Sequence, residues 1–417
     1  MRQFLICASI LNLLITPNFA ADWPCWRGPD GLGVSPETNL PVAWSKERNI
    51  AWKLVLPGKG ASSPVVVGDR VYLTTQSQDT GLHLLAVNGK SGELVWDREI
   101  ARGKLRANNL HNMATPTAVA EGERVWALFG TGDLACLNQE GKVMWQRNLV
   151  KDYGEYKILH GYGSSPMLQD GKLFIPCMHQ GPSYLLAVDA RTGQEVWKKD
   201  RTLAPKDEAQ DSYSSPLLLR ADGRAQVVLA GAESVNAYDP ASGEQIWICE
   251  GLKVPHPYGR TISGLAAGQG IVVAVASGFQ NRGYTIGLKA GGKGNITDTH
   301  KLWTCNKFSS DCPTPVAYEG KLYFIRDDGM ASCLDLKTGE PHWQERFFSA
   351  NVKVSPVAGD GKIYFMSGQG NCTVVKAGPT LQVLATNELA EATLSTPALS
   401  QGRVFIRTEG HLYCVQH

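Results

Sequence analysis

Apolar runs of about five residues, separated by polar turns rich in glycine, recur along most of the chain. Runs such as "VVV" are followed by turns such as "GDR" or "GK". Next come "VYLTT", "LFIPC" or "LYFIR", then a polar loop, then a third run such as "LLAVN". A Thr-Gly or Ser-Gly turn leads into a fourth segment that ends in tryptophan. The stretch "AVDARTGQEVW" at 187–197 shows this last part, and near copies stand at 86–96, 237–247 and 333–343. The runs are too short for helices, and helical periodicity is absent. The pattern predicts four short strands per unit, joined as an antiparallel meander.

A Ser or Thr followed by Pro marks each unit: Ser63-Pro64, Thr115-Pro116, Ser165-Pro166, Ser215-Pro216, Thr314-Pro315, Ser355-Pro356 and Thr396-Pro397, with Ser263-Gly264 as a degenerate copy. The steps run from 41 to 52 residues, a period typical of propellers and solenoids. The last unit, beginning "STPAL", supplies only three strands, and the missing tryptophan strand is "NIAWKLVLP" at 49–57. Joining the two closes a ring and removes an open sheet edge. The fold class is therefore all-β: an eight-bladed β-propeller spanning 49–417, with 1–20 as a signal peptide and 21–48 as a lead-in segment.

The recurrent tryptophans, Trp52, Trp96, Trp145, Trp197, Trp247, Trp303 and Trp343, are expected to be structural. A large flat ring on each outer strand fills the wedge between blades. In the seventh unit Leu384 takes the tryptophan's place. The turn glycine permits a positive φ, and Asp189 is placed to bond turn amides.

The leader has Arg2, the apolar run "FLICASILNLLI" and small residues for cleavage after Ala20 or Ala21. That run is too short to span a bilayer. Export to the periplasm or the extracellular space is expected, without a lipid anchor, because Cys7 lies inside the apolar run. Lys and Arg total 41 against 39 acids, which offers no field for nucleic acid or an anionic membrane. Nine cysteines follow the leader without a C-x-x-C pair, so no metal site is expected. Cys305 and Cys312 are close enough in sequence to pair, though spacing alone does not show it.

The motif A-x-D-x-x-T-G-x-x-x-W resembles the tryptophan-docking repeat of the pyrroloquinoline quinone (PQQ) propellers. That family includes quinoprotein alcohol dehydrogenases and the propeller subunit of the bacterial outer-membrane assembly machinery. The resemblance covers 49–417. The segments "WPCWRGPDGLGVSPETNLPVAW" and "GGKGNITDTHKLW" are similar to secreted bacterial PQQ-repeat proteins. The resemblance implies the fold and an envelope location. The dehydrogenases carry adjacent cysteines over the quinone and a calcium ligand set; neither is found here, so PQQ with calcium is disfavoured and no cofactor is expected.

In such a blade the inter-blade linkers share a face with the loops between second and third strands. That face concentrates the functional residue types. His111, His160, Tyr162, Tyr213, His256, Arg260, Asp311 and Lys353 precede the innermost strands and are expected to ring the channel mouth. Replacing Tyr162, Tyr213 and Arg260 by alanine should cost little stability. No H-x-H or H-x-x-x-H spacing supports a metal, and no G-x-S-x-G elbow is present. The function expected is that of a monomeric, non-catalytic envelope protein that binds a protein or small ligand on this face. The alternative is a quinone-dependent dehydrogenase with an atypical site.

Overall fold

A computed structural model describes residues 21–103, 112–201, 207–254, 259–277, 283–349 and 351–417. They form an eight-bladed propeller of four-stranded antiparallel sheets. The innermost strands are short, from Val65–Val67 in blade one to Ala398–Ser400 in blade eight. Helix is confined to brief turns such as Leu149–Tyr153. Blade eight is completed by Ile50–Val55, which pairs antiparallel with His411–Val415 and closes the ring as expected. The core lies between successive blades: Phe174, Leu185 and Trp197 of blade three pack with Leu218, Val227 and Tyr238 of blade four.

The marker has a physical role. At five of the eight blade junctions the residue two positions before the innermost strand donates its N–H to the hydroxyl of its counterpart in the next blade. The bonds run from Ser63 to Thr117 (2.9 Å), Thr117 to Ser165 (3.0 Å) and Ser165 to Ser215 (2.8 Å). They resume from Gly264 to Thr314 (2.7 Å) and from Thr314 to Ser355 (2.9 Å). The marker thus forms a blade-to-blade belt along two arcs, blades one to four and blades five to seven. In blade two the belt residue is Thr117, two positions beyond the expected Thr115, whose hydroxyl bonds to Asn112 O instead.

The docking tryptophans also have a defined geometry. Trp145 Nε1 donates to Ala190 O in the next blade, and a Cβ on Gly193 would lie 2.6 Å from the indole. The same relation holds for Trp52 with Gly92, Trp96 with Gly141, Trp197 with Gly243 and Trp303 with Gly339. Glycine is therefore required twice at the Thr-Gly turn: Gly193 has φ 73°, and the neighbouring ring leaves no room for a side chain. Asp189 accepts from Thr192 N and Thr192 Oγ1, as expected for the turn. Trp247 departs from the pattern. Its Nε1 donates to Gln226 Oε1 within its own blade, and Gly294–Asn295 adds a parallel fifth strand beside it.

A β-bulge precedes each docking position. In blade three Ala187 opposes Trp197 and Val188 opposes Glu195, which leaves Val196 unpaired. The bulge bends the outer strand and re-aims the ring. In blade seven the same register sets Ala385, not Leu384, in the tryptophan's place, since Val374 opposes Ala385 and Val375 opposes Val383. Leu384 is the bulged residue and is exposed, like Met144, Val196 and Leu302.

The lead-in threads the channel. Trp23 exchanges backbone hydrogen bonds with Val66 of blade one, and Ala120 N of blade two donates to Pro24 O. Arg27 reaches Thr314 O and Pro315 O of blade six, both at 2.7 Å. Val34–Ser35 then runs parallel with the inner strand of blade seven, and Ser35 Oγ donates to Leu399 O of blade eight. Residues 21–35 therefore form a plug that touches the inner strands or their entry residues in blades one, two, four, six, seven and eight. Trp23 and Arg27 are fully buried. Burial lowers the Arg27 guanidinium to about 9, and carbonyl oxygens are its acceptors.

Candidate functional site

Above the plug, on the linker face, the axis opens into a cavity of about 420 Å³. Belt residues form its wall, and Trp26 of the plug lines it from inside the channel. The Trp26 indole lies against blade five, where a Cβ on Gly264 would come within 3.3 Å of Cη2. The residues expected at the mouth divide into three groups. His160, Tyr213, Arg260, Asp311 and Lys353 all line the cavity. His111 and His256 lie outside the described residues. Tyr162 is corrected: it is buried between blades, its hydroxyl donates to Pro176 O at 2.7 Å, and its ring stacks on Tyr156 at 4.8 Å. Its side chain enters the core between blades rather than the axis.

The charged groups form one arc across five linkers, those entering blades three to seven. His160 Nε2 lies 3.6 Å from Glu208 Oε1, to which Arg260 Nη1 donates at 2.8 Å. Arg260 Nη2 donates to Asp311 Oδ2 at 3.0 Å. The Asp311 N–H donates to Asp327 Oδ2 at 2.7 Å, and Lys353 Nζ to Asp327 Oδ1 at 2.6 Å. The Tyr213 hydroxyl accepts from His160 N at 3.2 Å, and the two rings lie 6.1 Å apart. Burial pushes the Asp311 carboxyl upward, partly offset by Arg260. Burial opposes the Arg260 charge, but Asp311 and Glu208 outweigh it and raise its pKa.

Glu208 and Asp327 are essential to this arc and were not among the expected residues. Their signal was present in the sequence. Asp327 stands in "RDDG", a loop on the functional face, and Glu208 precedes the "AQDSYSSP" linker. Trp26 carried no such signal, because nothing in the repeat indicates that the lead-in enters the channel.

Asp311, Cys312 and Asp327 bring three possible ligand atoms within 4.8 Å of one another. The set fits a hard cation poorly. Calcium takes six to eight oxygen ligands. Here one member is a thiol that burial raises far above its ordinary value, and an ammonium and a guanidinium already hold the two carboxylates. The nine described cysteines are all free, Cys305 and Cys312 included.

The fold and mouth define a class: an eight-bladed propeller with tryptophan docking and a plugged channel. The profile of one family, described as outer membrane protein assembly factor BamB and built on PQQ-type repeats, matches residues 32–204 and 183–417. The chain belongs to that family. It is 29% identical over 150 residues to the BamB of Alkalilimnicola ehrlichii, covering 35% of this chain and 34% of that protein. It is 25% identical over 203 residues to a polyvinylalcohol dehydrogenase of a Pseudomonas species, covering 44% of this chain and 29% of the relative. The chain therefore spans about a third of the length of the curated relatives it matches. Among solved structures, BamB from Moraxella catarrhalis superposes with a TM-score of 0.64 at 13% identity, over 88% of this chain and 99% of that one. Quinohemoprotein alcohol dehydrogenase from Comamonas testosteroni gives 0.69 at 13% identity, over 94% and 80%. These likenesses show the fold. No helix among the described residues is long and apolar enough to cross a membrane.

Proposed function

We propose that the protein is a non-catalytic binding propeller of the bacterial cell envelope that holds a small ligand or a partner protein at the linker-face mouth. The observation that carries this reading is the arc from His160 to Lys353. Each of its strong charges is already matched by an opposite one, which suits recognition by fixed hydrogen bonds. It does not suit a metal or a free nucleophile, and the Cys312 thiol is held protonated by burial. The relatives named as outer membrane assembly factors support a scaffold role in the envelope. A second reading is favoured by the relatives named polyvinylalcohol dehydrogenase. In that reading Asp311, its pKa raised by burial beside Arg260, would be a general base for a quinone-dependent oxidation. The calcium ligand chemistry argues against it, and we take PQQ not to be a resident cofactor.

The test compares variants of the two faces. Immobilised wild-type protein is incubated with envelope extract and its retained ligand or partner identified by mass spectrometry. The double variant His160→Ala/Tyr213→Ala should lose it, at a stability cost of no more than about 1–2 kcal/mol. The turn-face variant Lys90→Ala/Arg191→Ala should keep it. Full retention by the mouth variant would move the site elsewhere.

A further inference from the structure

The mouth's lining narrows the chemistry of what it holds. The cavity volume falls within the range of about 300–1,000 Å³ usual for small-molecule sites. Thr117, Ser165, Ser215, Thr314 and Ser355 line it, and each hydroxyl accepts a backbone N–H from the preceding blade. That bond leaves each O–H as a donor, and no acceptor among the described residues takes it. A polar belt with protons to give is matched by an acceptor on the arc, the Asp311 carboxylate that lines the cavity. The remaining element is aromatic: the half-buried Trp26 indole, held in place by the plug.

Charge excludes two ligand classes. A polyanion would meet Asp311, and a polycation would meet Arg260 and Lys353. Each of these groups is already compensated, so a charged ligand would have to break an ion pair to gain one. A neutral molecule whose hydroxyls both donate and accept breaks none. If it also has an apolar face of C–H groups, that face can lie on an indole. From these observations we propose that the mouth takes a neutral saccharide, with one ring laid on Trp26 and its hydroxyls directed to the belt and to Asp311. This rests on the binding role proposed above and specifies its ligand class.

The test is calorimetric titration of the full chain with neutral trisaccharides: cellotriose, maltotriose, mannotriose and triacetylchitotriose. A trimer of glucuronate is the anionic control. At least one neutral sugar should bind saturably, and the glucuronate trimer at least about tenfold more weakly. Trp26→Leu keeps apolar bulk without a ring and should weaken binding about tenfold, whereas Trp26→Phe should stay within about threefold. Melting temperatures are recorded for both variants, so a loss of plug packing is separated from a loss of stacking. Binding by none of the four sugars, or equal binding by wild type and Trp26→Leu, would overturn the proposal. If sugars fail but the His160→Ala/Tyr213→Ala variant still loses an envelope protein that the wild type captures, the mouth remains a binding site and only its saccharide specificity falls.

Discussion

At the residue scale, glycines with the same φ differ in what surrounds them. Gly193 and Gly171 have φ 73° and 69°. A Cβ at Gly193 would strike the Trp145 ring at 2.6 Å, whereas at Gly171 nothing lies within 4 Å. Gly171→Ala should therefore cost only the backbone strain, about 1–2 kcal/mol. Gly193→Ala should cost about 2 kcal/mol more, because the docked ring must shift. Denaturant melts of the two variants check this, and equal losses would mean that the ring does not enforce the glycine. Tyr162 makes the complementary point. The sequence places it in a polar linker beside candidate site residues, but its burial makes Tyr162→Ala a core truncation costing about 3–5 kcal/mol. Linker residues alternate between axis and core over one or two positions, and a repeat pattern does not resolve that choice.

At the element scale, blade boundaries, strand order and ring closure were legible because each blade repeats the same turn chemistry. The bulge was not, since one unpaired residue per outer strand leaves no trace in the hydrophobic pattern, and in blade seven it puts Ala385 rather than Leu384 at the docking position. The closing strand adds a feature of its own. Glu391 accepts from His411 Nδ1 at 2.9 Å, from the Tyr413 hydroxyl at 2.8 Å and from Gly410 N at 2.9 Å. Burial pushes this carboxyl upward, but those hydrogen bonds outweigh it and hold it at about 2, against an ordinary 4.5. A lowered acid stabilises the fold fully above its unfolded value, and that contribution is lost as pH falls through the folded one. Glu391→Gln should therefore lose about 1–2 kcal/mol at pH 7 after allowance for partial exposure. The difference from wild type should vanish between pH 4.5 and about 2. A difference that persists unchanged at pH 2 would show that the carboxylate's charge is not what clamps the strand.

At the scale of the whole molecule, the plug joins fold to function. Trp23 is anchored in blade one, Arg27 in blade six and Ser35 in blade eight, so one short segment ties opposite sides of the ring and carries Trp26 into the cavity. Trp23→Ala should cost about 3–5 kcal/mol and expose 21–44 to limited proteolysis. An unchanged melting temperature and cleavage pattern would mean that the channel is stable without its plug. The plug was illegible because it lies outside the repeat and its contacts are with the inner strands of several different blades. The mouth arc was legible in part, since five of its members precede innermost strands, whereas Glu208 and Asp327 only gain meaning once the linkers are brought together. The central claim is that this mouth binds without turning over. The most direct measurement is to incubate the purified full chain with PQQ and calcium and follow quinone absorbance alongside dye-linked alcohol oxidation. The account predicts neither stoichiometric uptake nor turnover, because Lys353 and Arg260 already hold the carboxylates a calcium ion would need. Uptake of one quinone per chain with sustained oxidation would contradict it and make the protein a dehydrogenase.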